Sequence, residues 1–266
     1  MAKLLTVLIP TYNNHKLFLR LLITYLKDSR VLILVSDDSD NFREKKLIKN
    51  TCKDNNIIYF EGKKKSPPEN WNYLLSMVKT PFFVLNHHDE YPDNLNFLDI
   101  LDSNNIGLIV LPCSSKVGNG PLHKLFSWQQ KYFSQICMLW PNASFNMILA
   151  PTASVIVNSR YKNVFFDQKL RWFVDAEWYV KLFSLSTNDK RKILFYFHSR
   201  IISFQARNSI TRSLKDNLKQ QIKKEKDYLR IKGLIPIRIV RIFQLLSLIL
   251  ISLRSKSNII FAKFYK

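Results

Sequence analysis

Short apolar runs along the chain alternate with longer stretches in which apolar residues recur every three or four positions. Leu4 to Ile9 is an apolar run with β-branched members, closed by Pro10, and Val31 to Val35 is a second. Runs of this length fit strands buried on both faces of a parallel sheet. Ile57–Phe60, Pro81–Leu85 and Ile106–Leu111 repeat the pattern, and Ala150–Val157, Ile193–Phe197 and Ile201–Gln205 resemble later strands. Between them, His15–Leu26 carries apolar residues at 18, 19, 22, 23 and 26, one face of a helix. Lys45–Asn50, Trp71–Lys79 and Asp175–Phe183 also read as helical. Strands alternating with helices predict an α/β fold with a doubly wound, mostly parallel sheet.

Open sheets of this kind bind ligands in the crevice outside the carboxyl ends of their strands. Here those ends carry Pro10-Thr11-Tyr12-Asn13, then Asp37-Asp38, then His87-His88-Asp89-Glu90. Two acidic clusters are therefore expected on one edge of the sheet. The chain has no GxGxxG and no GxxxxGK[ST], so it lacks the glycine-rich phosphate cradles of dinucleotide-binding and P-loop proteins. Asp37 is weighed as a ligand contact and Asp38 as a turn residue, since aspartate is favoured in turns. Asp175 opens a helical stretch, where it fits either as a cap or as a functional acid. Glu177 reads as a supporting or surface residue, and Trp71 and Trp178 as core anchors.

The remainder of the chain behaves differently. Thr211 to Lys266 holds 14 Lys or Arg against 3 acids, a net +11 out of +21 for all 266 residues. Residues 212–232 form a charged helical stretch, and the apolar run Ile242–Leu253 has only 12 residues. That falls short of the roughly 20 needed to span a bilayer. Arg238, Arg241, Gln244, Ser252 and Ser255 gather on one narrow side of a helical projection. The pattern suits a helix lying in an anionic membrane interface, or one packed on the preceding domain or a partner. The expected division is an α/β domain over 1–211 and a basic, helical, membrane-associating segment over 212–266. The first ten residues lack a small-residue cleavage site, so no secretion signal is expected. Cys52, Cys113 and Cys137 are odd in number and far apart, which fits reduced thiols in a cytoplasmic protein.

The blocks VLIPTYNN (7–14), VSDDSD (35–40), ENWNYLL (69–75), PFFVLNHHDEYPDNL (81–95) and FVDAEWYVKLF (173–183) resemble, in order and spacing, family 2 glycosyltransferases with the GT-A fold. The resemblance covers roughly the first 210 residues and implies sugar transfer from a nucleotide-sugar donor with inversion. It implies that Pro10, Thr11, Tyr12, Asp37, His88 and Arg207 contact the donor. His87-His88-Asp89 occupies the place of the Asp-x-Asp motif, so Asp89 and His87 are expected to hold a divalent cation, Mn²⁺ or Mg²⁺. Asp175 falls where the family places its general base. A lone carboxylate is enough for Mg²⁺, which keeps several waters, and imidazole at 87 would favour Mn²⁺.

The implied setting is the cytoplasmic face of the inner or plasma membrane. There the enzyme would be peripheral and act on a lipid-linked glycan or polysaccharide acceptor of the O-antigen, lipopolysaccharide or capsule type. Three rivals remain open. A nucleotidyltransferase would show a glycine-rich loop after the first strand, and PTYNN is not one. A nucleic-acid-binding protein would interleave its charge with aromatics across a sheet, whereas here much of the charge lies in the tail. A degenerate transferase without catalysis is the third, since histidine stands at the first metal position.

Overall fold

The computed structural model describes residues 2–62, 66–102, 105–115, 136–137, 139, 141–145, 151–204 and 217–234. Ten strands are described: β1 (Leu5–Thr11), β2 (Val31–Asp37), β3 (Ile58–Glu61), β4 (Phe82–Leu85), β5 (Glu90–Pro92), β6 (Ile106–Val110), β7 (Cys113–Ser115), β8 (Val155–Asn158), β9 (Lys192–Phe195) and β10 (Ile201–Ser203). Five helices accompany them: α1 (His15–Tyr25), α2 (Phe42–Asp54), α3 (Pro67–Ser76), α4 (Val174–Asn188) and α5 (Leu218–Ile231).

Seven strands form one sheet in the order β3-β2-β1-β4-β8-β6-β9, and β5-β10-β7 form a small second sheet. The large sheet is parallel except for β8, which runs against both β4 and β6. This is the predicted α/β architecture. It also reverses strand direction beside β4, whose carboxyl end carries the His87–Glu90 turn.

Side chains alternate across the sheet and divide the core into two layers. Leu5, Val7 and Ile9 of β1 pack with Phe18, Leu21, Leu22, Ile48 and Cys52 of α1 and α2. Leu8 faces the other way, onto Trp71, Leu74 and Leu75 of α3 and Trp178, Leu182 and Phe183 of α4. Burying a large apolar side chain stabilises by about 1.5–3 kcal/mol, so these layers fix where every strand end lies.

Two helices begin earlier than their apolar periodicity suggests, because their caps precede it. The Asn41 side chain accepts from the amides of Arg43 and Glu44, starting α2 at Phe42 rather than near Lys45. Ser66 and Glu69 form a capping box with proline in the first turn, starting α3 at Pro67 rather than Trp71.

The charged stretch expected over 212–232 is helical where described, and α5 is docked. Leu229 is buried among α3 and α4 side chains, with Ile222, Tyr228 and Leu234 packed around it. None of the three cysteines forms a disulfide, and all are buried. No helix among the described residues is long and apolar enough to cross a membrane. The apolar run Ile242–Leu253, the predicted tail helix around it, Arg207 and most of the aromatic stretch 126–141 lie outside the described residues.

Candidate active site

Loop 12–14 is laced to loop 38–41. Tyr12 Oη donates to Asp40 Oδ2 at 2.7 Å, and Asn13 N donates to Ser39 Oγ at 2.8 Å. Asn41 N returns a bond to Asn13 Oδ1 at 3.0 Å. Asn13 takes a positive φ of 48°, a conformation asparagine tolerates better than most residues. Pro10 and Thr11 end β1 opposite Ser36 and Asp37 of β2. Thr11 is buried and its Oγ1 has no hydrogen-bond partner.

Strand β2 runs two residues beyond its apolar run, to Asp37, and alternation then decides which carboxylate faces the crevice. Ser36 lines a groove, while Asp37 points into the opposite layer and is fully buried. Its carboxylate accepts from Ser39 N at 2.9 Å and Tyr59 Oη at 3.1 Å. Asp38 is the half-exposed member of the pair, and Asn70 Nδ2 donates to its Oδ2 at 2.7 Å. Asp37 thus organises the turn from within, and Asp38 is held by Asn70, a residue of the groove lining.

That groove, about 830 Å³, lies between the ends of β2 and β3, helix α3, the segment 165–169 and helix α5. Asn72 fixes its floor by bonding the backbone of Phe166 in both directions, at 2.9 and 2.8 Å. Its far wall is tied by Tyr228 Oη to Asp167 Oδ2 at 2.8 Å and by an ion pair between Lys232 and Asp167. Trp71 joins groove and acidic edge, its ring meeting those of His87 at 4.9 Å and Phe166 at 5.1 Å, both edge-on.

The turn after β4 is built on Asn86. This buried side chain accepts from Tyr25 Oη at 2.8 Å and donates to the carbonyls of His87 and Glu90 at 3.0 and 2.7 Å. Glu90 N closes the turn on His87 O at 3.0 Å. Glu90 is buried, its Oε2 has no partner, and burial raises its pKa well above the usual range, with Asp89 and Asp175 adding to the rise. Burial also pulls His87 down to about 4 and lowers His88, so both imidazoles are neutral at pH 7. The His88 Nδ1 is buried and has no hydrogen-bond partner.

Asp175 lies in the first turn of α4. Its Oδ1 is buried without a partner, and burial pushes its pKa up to about 6. A carboxylate that titrates near the working pH is suited to accept a proton. Glu177, two residues further along α4, is an unsuitable competitor because Lys181 Nζ holds it at 2.8 Å. Thus Asp89, Glu90, His88 and Asp175 share the carboxyl edge of the sheet, while Ser36 lines the groove and Asp38 is bonded by the groove residue Asn70. Among the described residues no group of three or more His, Cys, Asp or Glu is arranged to hold a metal ion. The donor set does suit a cation that takes most of its ligands from water and a substrate's phosphates. Asp89 offers a hard carboxylate, and His88 offers a buried ring nitrogen, Nδ1, with no hydrogen-bond partner.

Sequence reasoning passed over Asn70 and Asn86 and weighed Asp38 as a turn residue only. Of these, Asn86 alone had a local signal, as the polar residue closing the PFFVL run.

No family model matches the chain, and no curated protein matches it in sequence. Solved structures match its fold. The structure of Staphylococcus aureus TarS residues 1–349 in complex with UDP-GlcNAc superposes with a TM-score of 0.61 at 18% identity, covering 79% of this chain and 61% of that one. The mannosyltransferase PcManGT from Pyrobaculum calidifontis, in complex with GDP-Man and Mn²⁺, gives 0.55 at 10% identity over 80% of this chain and 60% of that one. The chain thus spans about three fifths of each of these structures and shares their GT-A type fold.

Proposed function

We propose that the chain transfers a glycosyl group from a nucleotide-sugar donor to an acceptor hydroxyl, with inversion at the anomeric carbon. The observation that carries this reading is Asp175, a half-buried residue whose Oδ1 is buried without a partner and whose pKa is raised to about 6, on the same sheet edge as Asp89 and His88. The fold shared with structures that hold UDP-GlcNAc and GDP-Man supports it.

In this reading the donor's nucleoside lies along the groove edge at Ser36 and Asp38, with Pro10, Thr11 and Tyr12 bordering it. Asp89 and His88 would hold a divalent cation, which neutralises charge on the leaving diphosphate when bound. Asp175 accepts the acceptor proton as the new C–O bond forms and the sugar–phosphate bond breaks on the opposite face. Positioned proton acceptors contribute about 10²–10⁴-fold. Family 2 membership, a lipid-linked or polysaccharide acceptor, and peripheral attachment at the cytoplasmic membrane face belong to the same reading, and the basic, apolar sequence after Gly233 supports the last of these. Arg207 would approach the donor phosphates.

The test is calorimetric binding and turnover with UDP-, GDP- and dTDP-sugars in Mn²⁺ or Mg²⁺, for wild type, Asp89→Ala and Asp175→Asn. Cation-dependent binding of one donor, lost in Asp89→Ala and kept without turnover in Asp175→Asn, is expected. Donor binding without turnover in the wild type would point to a degenerate member, and no binding at all would sink the reading.

A further inference from the structure

Helix α4 begins at Val174, and Phe173 at its N-cap supplies no side-chain acceptor. The three amides that lead into the helix are nonetheless satisfied, from a part of the chain more than fifty residues away. Glu225 of α5 accepts from Arg171 N at 2.8 Å and Trp172 N at 3.1 Å through Oε1, and from Trp172 N at 3.1 Å and Phe173 N at 2.9 Å through Oε2. Gln221 Nε2 steadies Oε1 at 2.6 Å. The Glu225 side chain is 2% exposed, so its bonds are shielded from water. Among the described residues its hydrogen-bond partners are those amides and Gln221, with no cation paired to it.

A buried carboxylate is costly unless its oxygens are satisfied, and bonds from a charged acceptor are about twice as strong as neutral ones. Three successive N–H groups converging on one carboxylate form an anion-binding nest. Here the anion is supplied by the protein itself. The nest fixes the peptide 171–173 and hence the point at which α4 starts, and Asp175 is the second residue of that helix. Phe173 is also pinned by Phe145, at 6.1 Å between ring centroids.

We infer that Glu225 is a positioning residue for Asp175, which makes the docked helix α5 a working part of the active site and not a separate membrane appendage. The inference rests on the reading of Asp175 as the proton acceptor. Asp175 touches the reacting hydroxyl, and Glu225 acts through the 171–173 backbone. Misplacing a catalytic group by about 1 Å can cost on the order of 10²-fold in rate, while donor contacts at Ser36 and Asp38 lie on other elements.

The experiment measures kcat and donor KM in the full chain for wild type, Glu225→Ala and Glu225→Gln, with thermal melts alongside. Arg230→Ala, which breaks an exposed pair with Asp227 on the same helix, is the control. Glu225→Ala is expected to lower kcat about 10–100-fold with donor KM within about threefold, a split that marks loss of transition-state positioning. Glu225→Gln keeps the shape and one acceptor oxygen, so its kcat should fall between the two. Arg230→Ala should match wild type. A folded Glu225→Ala with wild-type kcat overturns the inference, as does a kcat loss fully explained by the unfolded fraction. If Glu225→Ala does not fold, Glu225→Gln decides, and wild-type kcat there overturns it. Absence of turnover in the wild type would instead be a failure of the transferase reading.

Discussion

Asn70, near the start of α3, reaches across the groove edge and donates to Asp38 at 2.7 Å. The bond joins the helix that meets His87 to the turn after β2, so it sets the width of the crevice where a nucleoside would enter. Asn70→Ala is expected to raise donor KM about 3–10-fold with kcat nearly unchanged, the signature of lost uniform binding. Gly62 offers a second route to the same result. A Cβ there would stand 1.9 Å from Asp38 Oδ1 and 2.9 Å from the Asp37 carbonyl. Gly62→Ala must therefore displace Asp38, and steady-state kinetics should show the same KM effect. A KM unchanged in both variants would remove Asp38 from the donor site.

The fold was largely legible because buried parallel strands advertise themselves as apolar runs, and the polar residues closing each run mark the crevice. The helix start that carries Asp175 was legible from its acidic opening. Which of Asp37 and Asp38 is buried was not. It turns on β2 continuing past Val35 to Asp37, which aims Asp37 inward by simple alternation, and nothing in VSDDSD marks that extra length. Glu225 was hidden more thoroughly. A glutamate among lysines reads as a solvated helix face, and its partners are backbone amides, which carry no sequence signature.

Tyr25 and Asn86 hold the acidic turn from below, and both are buried. Tyr25→Phe would leave Asn86 Oδ1 unsatisfied in the core, a loss of about 1–3 kcal/mol. For a chain of this size that corresponds to a melting temperature lower by a few degrees. Asn86→Ala removes in addition the two bonds to His87 O and Glu90 O, so it should destabilise more and also lower turnover. Chemical denaturation of both variants at equal salt checks the order. Equal stability of Tyr25→Phe and wild type would mean that the hydrogen bond is replaced on mutation.

Asp175 predicts a pH dependence whose sign is fixed by its environment. Its folded pKa is raised to about 6, chiefly by burial, so the native state favours the protonated form. Turnover, which needs the carboxylate, should rise as pH passes through about 6 from below. Stability runs the opposite way. Between the ordinary carboxylate range and pH 6 the unfolded chain ionises Asp175 while the native state does not, so stability is lost as pH rises through that window. Asp175→Asn should therefore lose turnover and yet be more stable than wild type at pH 7, by up to about 3 kcal/mol, with the difference nearly gone near pH 4. Urea unfolding of both proteins at the two pH values measures it. A variant less stable than wild type at pH 7 would mean that the carboxylate has a native partner.

His87 and His88 can be separated by what their rings meet. His87 lies edge-on against Trp71 at 4.9 Å, in a contact that fills the core between the groove and the sheet edge. His88 presents Nδ1, buried and unpartnered, beside Asp89. The resemblance assigned the cation to His87 and the donor to His88, whereas the ring with the buried, unpartnered nitrogen is the better ligand on chemical grounds. His88→Ala should weaken Mn²⁺-dependent donor binding about 10–100-fold, the range seen when a ligand shell is disturbed, and should narrow any preference for Mn²⁺ over Mg²⁺. His87→Ala should instead lower the melting temperature through lost packing, with a smaller effect on the metal titration. Calorimetric donor titrations at fixed Mn²⁺ and fixed Mg²⁺, run on both variants, distinguish the two. If His87→Ala alone abolishes the Mn²⁺ dependence, the ligand is His87.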